Sequence, residues 1–480
     1  MTSIRPTSSV SDISATSPTA YDRSFWLAYL GMSMLMTGYG LLYRYADFVN
    51  FLGGSEFHIG WIVGVGTVGS LAMRLFLGVG IDRYGPRLIW AGSLLLISIS
   101  CLSHLAISSH TGVGIYILRI IFACGMAGVF GSSITFVSNR VTTNRVAELV
   151  GMLGTAGYVG MMLGSQLGDF LCSDQVSTGV QQWQVYGMFV GAGLLSGLAI
   201  PFVWLATRGM PRPGRRREPS MFRLLQHYNP GIIVVVGIIT GLALGLPDVF
   251  LRTFAMTLDL SRISLFFTTY AITTIATRVL IRGLSQRLPL KPMILWGLGF
   301  LSASMMSFVI VQSYWQLIIP GIGFGITQAV LAPSVIAATN LNFPSRFRGL
   351  GTTVVLASFD LGYLVGAPAA GAMVHFCGLA GLPAYPILFS TIVVLIVLVG
   401  IVYAVVPERK PLEEQVTELP ELLAGGEFMA AAANCPAASE SHVTPKSIDP
   451  LESCAYHPAV EYDETLSMDA RGSTGKPKIE

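Results

Sequence analysis

Charge is what this chain has least of. Asp, Glu, Lys and Arg make up only 11% of its 480 residues, less than half the roughly 25% of an ordinary soluble domain. The hydrophobic share is 52% and the mean hydropathy is +0.64, so most of the surface must face something other than water. Other absences narrow the chemistry. No Gly-x-x-x-x-Gly-Lys-Ser/Thr loop exists to cradle nucleotide phosphates, which disfavours an ATP-driven pump. There is no His-Glu-x-x-His and no Gly-x-Ser-x-Gly, and the seven histidines are scattered, with His58, His110 and His375 at the ends of apolar runs. A membrane enzyme, a metal centre, a cofactor and a nucleic-acid partner are therefore not expected. The six cysteines show no Cys-x-x-Cys spacing and read as small apolar fillers or tail residues. No apolar core precedes Phe25, so the Ser/Thr-rich residues 1–24 read as a disordered cytoplasmic tail rather than a secretory signal.

What is present is a rhythm of long apolar runs. Twelve stretches of about 20 residues fall at 25–46, 58–78, 88–108, 113–137, 148–171, 184–206, 230–251, 263–281, 292–311, 316–339, 350–374 and 385–406, each able to cross about 30 Å of hydrocarbon as a helix. The short loops separate by charge. Arg83, Arg87, Arg140, Arg145, Arg282, Arg287, Lys291, Arg346 and Arg348 lie on one side, together with the Arg208–Arg223 segment; the other side offers only Arg44, Arg252 and Arg262. The arginine-rich side is expected to be cytoplasmic and to carry both termini. Pro and Gly around the Arg215–Arg217 cluster break the rhythm, so residues 208–229 read as a basic linker. The cluster itself is a topology signal held against anionic headgroups rather than a ligand site. Two halves result, 25–207 and 230–406, and residues 407–480 read as a disordered cytoplasmic tail. The halves repeat at an offset of roughly 204: Arg74 matches Arg278, Arg83 matches Arg287, Arg87 matches Lys291, and Thr37-Gly38 is echoed by Thr240-Gly241.

The loop between spans two and three reads Gly78-Val79-Gly80-Ile81-Asp82-Arg83-Tyr84-Gly85-Pro86-Arg87. Gly-x-x-x-Asp-Arg-x-Gly-x-Arg at this place resembles the signature loop of the major facilitator superfamily. The resemblance covers about residues 25–406. It implies an all-α integral membrane fold of twelve helices in two six-helix, pseudo-repeated bundles. It also implies a secondary transporter moving a small solute by alternating access, expected as a monomer in the plasma or inner membrane. In that family the matching loop helps close the cytoplasmic side. Gly78, Asp82, Arg83, Gly85, Arg87 and Arg287 are accordingly the candidate cytoplasmic gate, with Asp82 latching onto the start of span eleven, or, for the arginines, plain topology signals.

Arg119, about 10 Å into span four, either snorkels outward or faces an interior partner or an anionic solute; its place ahead of Gly125 also resembles the family's span-four arginine motif. Asp360, some 11 residues or roughly 16 Å into span eleven, either titrates, pairs with a cation, binds solute, or hydrogen-bonds a neighbouring helix, with Gly362, Gly366 and Pro368 suggesting close packing. Gln166 and Gln328 are candidates for reading solute hydroxyls or carboxylates, or for interhelical hydrogen bonds. At the outer ends Arg44 and Asp47 (i, i+3) and Asp248 and Arg252 (i, i+4) form either an extracellular gate across the halves or two local pairs. Span five carries glycines 151, 154, 157, 160, 164 and 168, a stripe suited to close helix contact at a rocking interface; lacking proline, it departs from the Gly-Pro motif of drug and proton antiporters. The two arginines tilt the substrate toward an organic anion, and Asp360 makes protons a candidate coupled ion. A non-transporting receptor on the same scaffold is the alternative.

Overall fold

The computed structural model describes residues 21–140, 143–172, 181–210, 231–281, 288–343 and 348–407. Arg287, most of the linker and both tails lie outside the described residues, as does the side chain of Asp82. Among the described residues twelve helical rods follow one another: α1 (Arg23–Phe51), α2 (Glu56–Gly78), α3 (Arg83–Ala106), α4 (Val113–Ser138), α5 (Thr143–Leu171), α6 (Gln182–Ala206), α7 (Ile233–Thr257), α8 (Ser264–Ile281), α9 (Leu290–Ile310), α10 (Tyr314–Asn340), α11 (Arg348–Leu379) and α12 (Ala384–Val405). Eleven are long and apolar enough to cross a membrane. The exception is α5, whose hydropathy is diluted by its six stripe glycines and by Gln166. Large apolar side chains such as Phe76, Leu280, Trp296 and Val405 stand exposed around the rim, as expected of helices whose outer face meets lipid rather than water.

Local chemistry sets the helix ends. Asp22 caps α1 by accepting the Phe25 N–H at 2.9 Å. In the first turn of α3 the chain kinks at Gly85, whose φ of 81° no side-chain-bearing residue adopts cheaply, and Pro86 resumes the helix with φ already set. The C-terminal ends of α4, α6, α8 and α10 lie at this same end, here called the arginine-loop end. The opposite end carries the loops after α1, α3, α5, α7, α9 and α11.

Within each half the helices pack through glycine. Gly160 and Gly164 of α5 lie against Ser33, Met36, Thr37 and Gly40 of α1, so most of the span-five stripe serves a contact inside the first half and not the interface between halves. Gly241 and Gly245 of α7 meet Phe359 and Tyr363 of α11, and Gly362 and Gly366 reciprocate against Ile238 and Leu242. Between the halves the contacts are α2 on α11, α5 on α8, and the outer part of α1 on α7. Near the opposite end α2 and α11 are backbone-close: Gly60 faces Ala367 and Gly371, and Gly64 faces Pro368. At the arginine-loop end Gly78, Gly151 and Gly349 meet nothing among the described residues within 4 Å of where a Cβ would stand. The halves are thus jammed together at one end and parted at the other.

A Cβ on Gly164 would meet the Thr37 carbonyl and the Gly40 Cα, backbone that cannot step aside. Gly164→Leu is expected to force α1 from α5 and to lower the monodisperse fraction of detergent-purified protein several-fold; an elution profile matching the parent's would show that this contact is dispensable.

Candidate functional site

The interface between the halves holds three layers of polar side chains. The outermost, at the opposite end, is an ionic cluster. Arg44 donates from Nε to Asp47 Oδ2 at 2.8 Å and from Nη1 to Asp169 Oδ1 at 2.9 Å. Arg252, from the second half, donates from Nε to Asp47 Oδ1 at 2.8 Å. Asp169 Oδ2 accepts the backbone N–H of Ile263 at 2.8 Å and of Ser264 at 2.7 Å, capping α8 from the other half. The Ser261 carbonyl accepts from both guanidinium groups. All four side chains are at most 4% exposed. Two cations against two anions leave the cluster neutral, and each carboxylate oxygen has a donor, the condition under which buried charge is tolerated. One turn or so inward, Tyr43 stacks flat on Phe267 across the same seam, centroids 3.9 Å apart.

The middle layer is a partly open pocket of about 10 Å³ lined by Tyr39, Tyr43, Tyr45, Ile59, Val63, Arg119, Asp248 and Tyr363, among others. That is room for about one water. Arg119 does not snorkel: its guanidinium lies over the ring of Tyr45 at 4.6 Å and over that of Phe122 at 5.1 Å. Asp248 comes from the second half and lines the pocket together with Tyr39. Both charged groups line this cavity, yet no ion pair within 4 Å joins them. Asp248 therefore belongs here and not with Arg252, which turns from its i−4 neighbour to Asp47.

The third layer lies toward the arginine-loop end. Asp360 is paired with Arg74 across the halves, Nε to Oδ2 at 2.7 Å and Nη2 to Oδ1 at 3.4 Å, with both side chains partly buried. On the other flank Arg278 donates from Nη2 to the Tyr158 hydroxyl at 3.1 Å. Gln166 bridges the halves by donating to Thr268 Oγ1 at 2.9 Å, on an exposed edge. Gln328 stands apart in α10, its Oε1 buried with no partner. Of the loop residues, Arg87 lies over Trp204 at 3.7 Å and Arg83 over Tyr84 at 5.2 Å; both contacts stay within the first half. The histidines thought scattered come together at the opposite end, His58 and His110 with ring centroids 4.5 Å apart, although no group of three ligands suited to a metal occurs among the described residues.

Asp169, Arg74 and Tyr158 are the members that sequence reading did not single out as site residues. A carboxylate two residues from the end of the glycine-rich fifth span was the available signal for the first. The Arg74–Arg278 repeat was the signal for the second.

Against known proteins, residues 24–262 and 231–455 each match the family model described as Major Facilitator Superfamily. No curated protein matches the sequence. Among solved structures the fold is similar to nucleoside transporter NupG, with TM-score 0.66 and 12% identity over 80% of this chain and 98% of that one. It is also similar to a bacterial homolog of the human lysosomal transporter Spinster in an inward-facing, unoccupied conformation (0.62, 15%, 81% and 97%). A third is the D-xylose-proton symporter (0.62, 15%, 80% and 97%).

Removing one member of a buried ion pair costs roughly 3–5 kcal/mol, so Asp169→Ala is expected to let the opposite end open roughly a hundredfold to a few thousandfold more often. Cys172, buried three residues further along the chain, reports it: with the other cysteines replaced by serine, its labelling by a membrane-impermeant maleimide should accelerate by up to that factor. A rate equal to the parent's would mean that the cluster does not hold this end shut.

Proposed function

We propose, on the premise that the chain belongs to the Major Facilitator Superfamily, that it carries a small organic anion across the membrane together with a proton. The chain is a multi-pass membrane transporter of small solutes; the anion, the proton and the direction are our reading. The observation that carries it is the placing of Arg119 and Asp248, one from each half, on a single pocket without an ion pair within 4 Å between them. The rings of Tyr45 and Phe122 take the faces of the Arg119 guanidinium and leave its in-plane N–H donors for an oxyanion. An anion held there would meet the Asp248 carboxylate. At an effective permittivity near 20 two like charges 4 Å apart repel by about 4 kcal/mol, and less in proportion to distance. A proton on Asp248 removes that repulsion, so anion and proton favour each other's binding, and the preference is reciprocal.

Arginine-rich loops facing the cytoplasm put the four-charge cluster on the outside, and the parted glycines at the arginine-loop end support a conformation shut outward. In this reading the Arg44–Asp47–Asp169–Arg252 cluster is the outer gate and Arg74–Asp360 is a cross-half tie on the inner side. The coupling carboxylate is then Asp248 and not Asp360, which has a cation of its own. Alternating access exchanges the two ends. Asp82 and Arg287 keep their proposed place as an inner latch for the state in which the arginine-loop end closes.

The test is uptake into proteoliposomes from a panel of carboxylates, sugars, nucleosides and zwitterions, with and without an imposed pH gradient. Carboxylate uptake accelerated by a proton gradient running with it is expected. Asp248→Asn should keep uptake but lose the acceleration. Arg119→Gln should raise KM about tenfold or more, the loss of one charge-assisted hydrogen bond. Gradient-independent uptake of zwitterions would replace the proton by a cationic group of the solute; no flux with any of the panel would overturn the reading.

A further inference from the structure

Duplication of the six-helix unit places an arginine at the same level in both halves. Arg74 on α2 and Arg278 on α8 lie roughly 204 residues apart, and each reaches across the interface. Their targets are also repeat-related: Asp360 on α11 and Tyr158 on α5 stand about 202 apart. The first arginine finds a carboxylate at 2.7 Å. The second finds only a phenol, whose hydroxyl accepts from Nη2 and whose ring lies beneath the guanidinium at 5.1 Å. Among the described residues no carboxylate lies within 4 Å of Arg278. Its Nε is buried without any acceptor. Nη1 is turned toward Gly154, 3.4 Å from where a Cβ would stand, and beside it Gly151 meets nothing among the described residues.

A partly buried guanidinium at a helical interface normally has a counter-ion. Here its repeat-mate has one and it does not, while glycines keep the ground next to its free N–H edge empty. We infer that Arg278 is a second anion-binding site, distinct from the central cavity, which takes the carboxylate of the solute on its way to or from the arginine-loop end. By helix rise Arg278 lies roughly 21 Å from the start of α8, in its last turn, and so on the arginine-loop side of Arg119. Tyr158 is the positioning residue: it holds Nη2 and the guanidinium face and leaves Nη1 for the ligand. The central site attracts the anion from one direction, and Arg278 gives it a partner to move to. The inference rests on the solute being an anion.

The experiment measures the thermal unfolding midpoint of full-length protein in detergent while sodium benzoate replaces sodium chloride at constant ionic strength. Wild type is expected to be stabilised by benzoate, since a ligand that binds only the folded state raises its apparent stability. Arg278→Gln should lose a component of that shift and move its half-point about tenfold to higher benzoate. Tyr158→Asp builds the missing carboxylate into the protein. It should raise the midpoint without benzoate and remove the same component, and it decides the matter if Arg278→Gln does not fold. Responses of both variants equal to wild type, or no response of wild type to benzoate, would overturn the inference. Arg119→Gln separates the two sites. A shift abolished there and intact in the Arg278 and Tyr158 variants leaves the central site standing and this one refuted; the reverse pattern supports this site and refutes the central one.

Discussion

Unlike charges in a membrane interior must find one another, and in this protein they do so across the seam between two six-helix halves. Arg44, Asp47 and Asp169 come from the first half and Arg252 from the second, and the backbone they bind at 260–264 is also from the second. None of these groups could be buried if the halves separated at that end without water entering to replace the lost partners. The cluster is therefore stable in only two circumstances, fully dry and assembled or fully wetted and apart. That two-state character is what a gate requires, and it comes from the cost of an unpaired charge rather than from the strength of any one bond.

The same rule orders the rest of the interface. At the opposite end Arg44, Asp47, Asp169 and Arg252 neutralise one another, and glycine brings α2 and α11 into backbone contact. At the arginine-loop end one pair, Arg74–Asp360, spans the gap, and the helix ends stand apart. Between them Arg119 and Asp248 face a space the size of one water. Its walls leave both charged groups partly exposed. Those walls come from both halves, α1, α2 and α4 on one side and α7 and α11 on the other, so solute fit and the relative tilt of the halves are one variable. The tight seating of α7 on α11 through Gly241, Gly245, Gly362 and Gly366 makes Asp248 and Tyr363 move as a rigid pair when they do.

Much of this was legible in the chain. Apolar runs of span length fixed the helix number, and the Gly78–Arg87 loop identified the family, because both depend only on local composition and on one strained glycine turn. Depth was less legible. Span seven reads from hydropathy as 230–251, yet α7 continues to Thr257. Six further residues turn Asp248 from a border residue into one roughly 14 Å inside, which is why it belongs to the central cavity. Polar residues at the end of a span lower its hydropathy and shorten its apparent length, so the charged cluster hides the helix that carries it. The i, i+4 spacing of Asp248 and Arg252 allowed a local pair, but spacing cannot tell that Asp47 offers Arg252 a buried partner from another helix. Asp169 was hidden for the same reason: its partners are a distant arginine and two backbone N–H groups, and neither leaves a mark at short range in sequence.

Glycine placement carries the argument one step further. Glycine in a membrane helix costs little when it lets two backbones touch, and Gly60, Gly64, Gly164 and Gly371 all touch something now. Gly78, Gly151 and Gly349 touch nothing among the described residues, although α2, α5 and α11 are among the helices that cross the seam between halves. Packing in this conformation does not account for them. In the proposed cycle the outer end opens and the arginine-loop end closes, and these three positions then become the ones where backbone meets backbone. Small residues at both ends of the same crossing helices are what a pivot between two tightly packed states needs, since a bulky side chain at either end would hold one of the two permanently ajar.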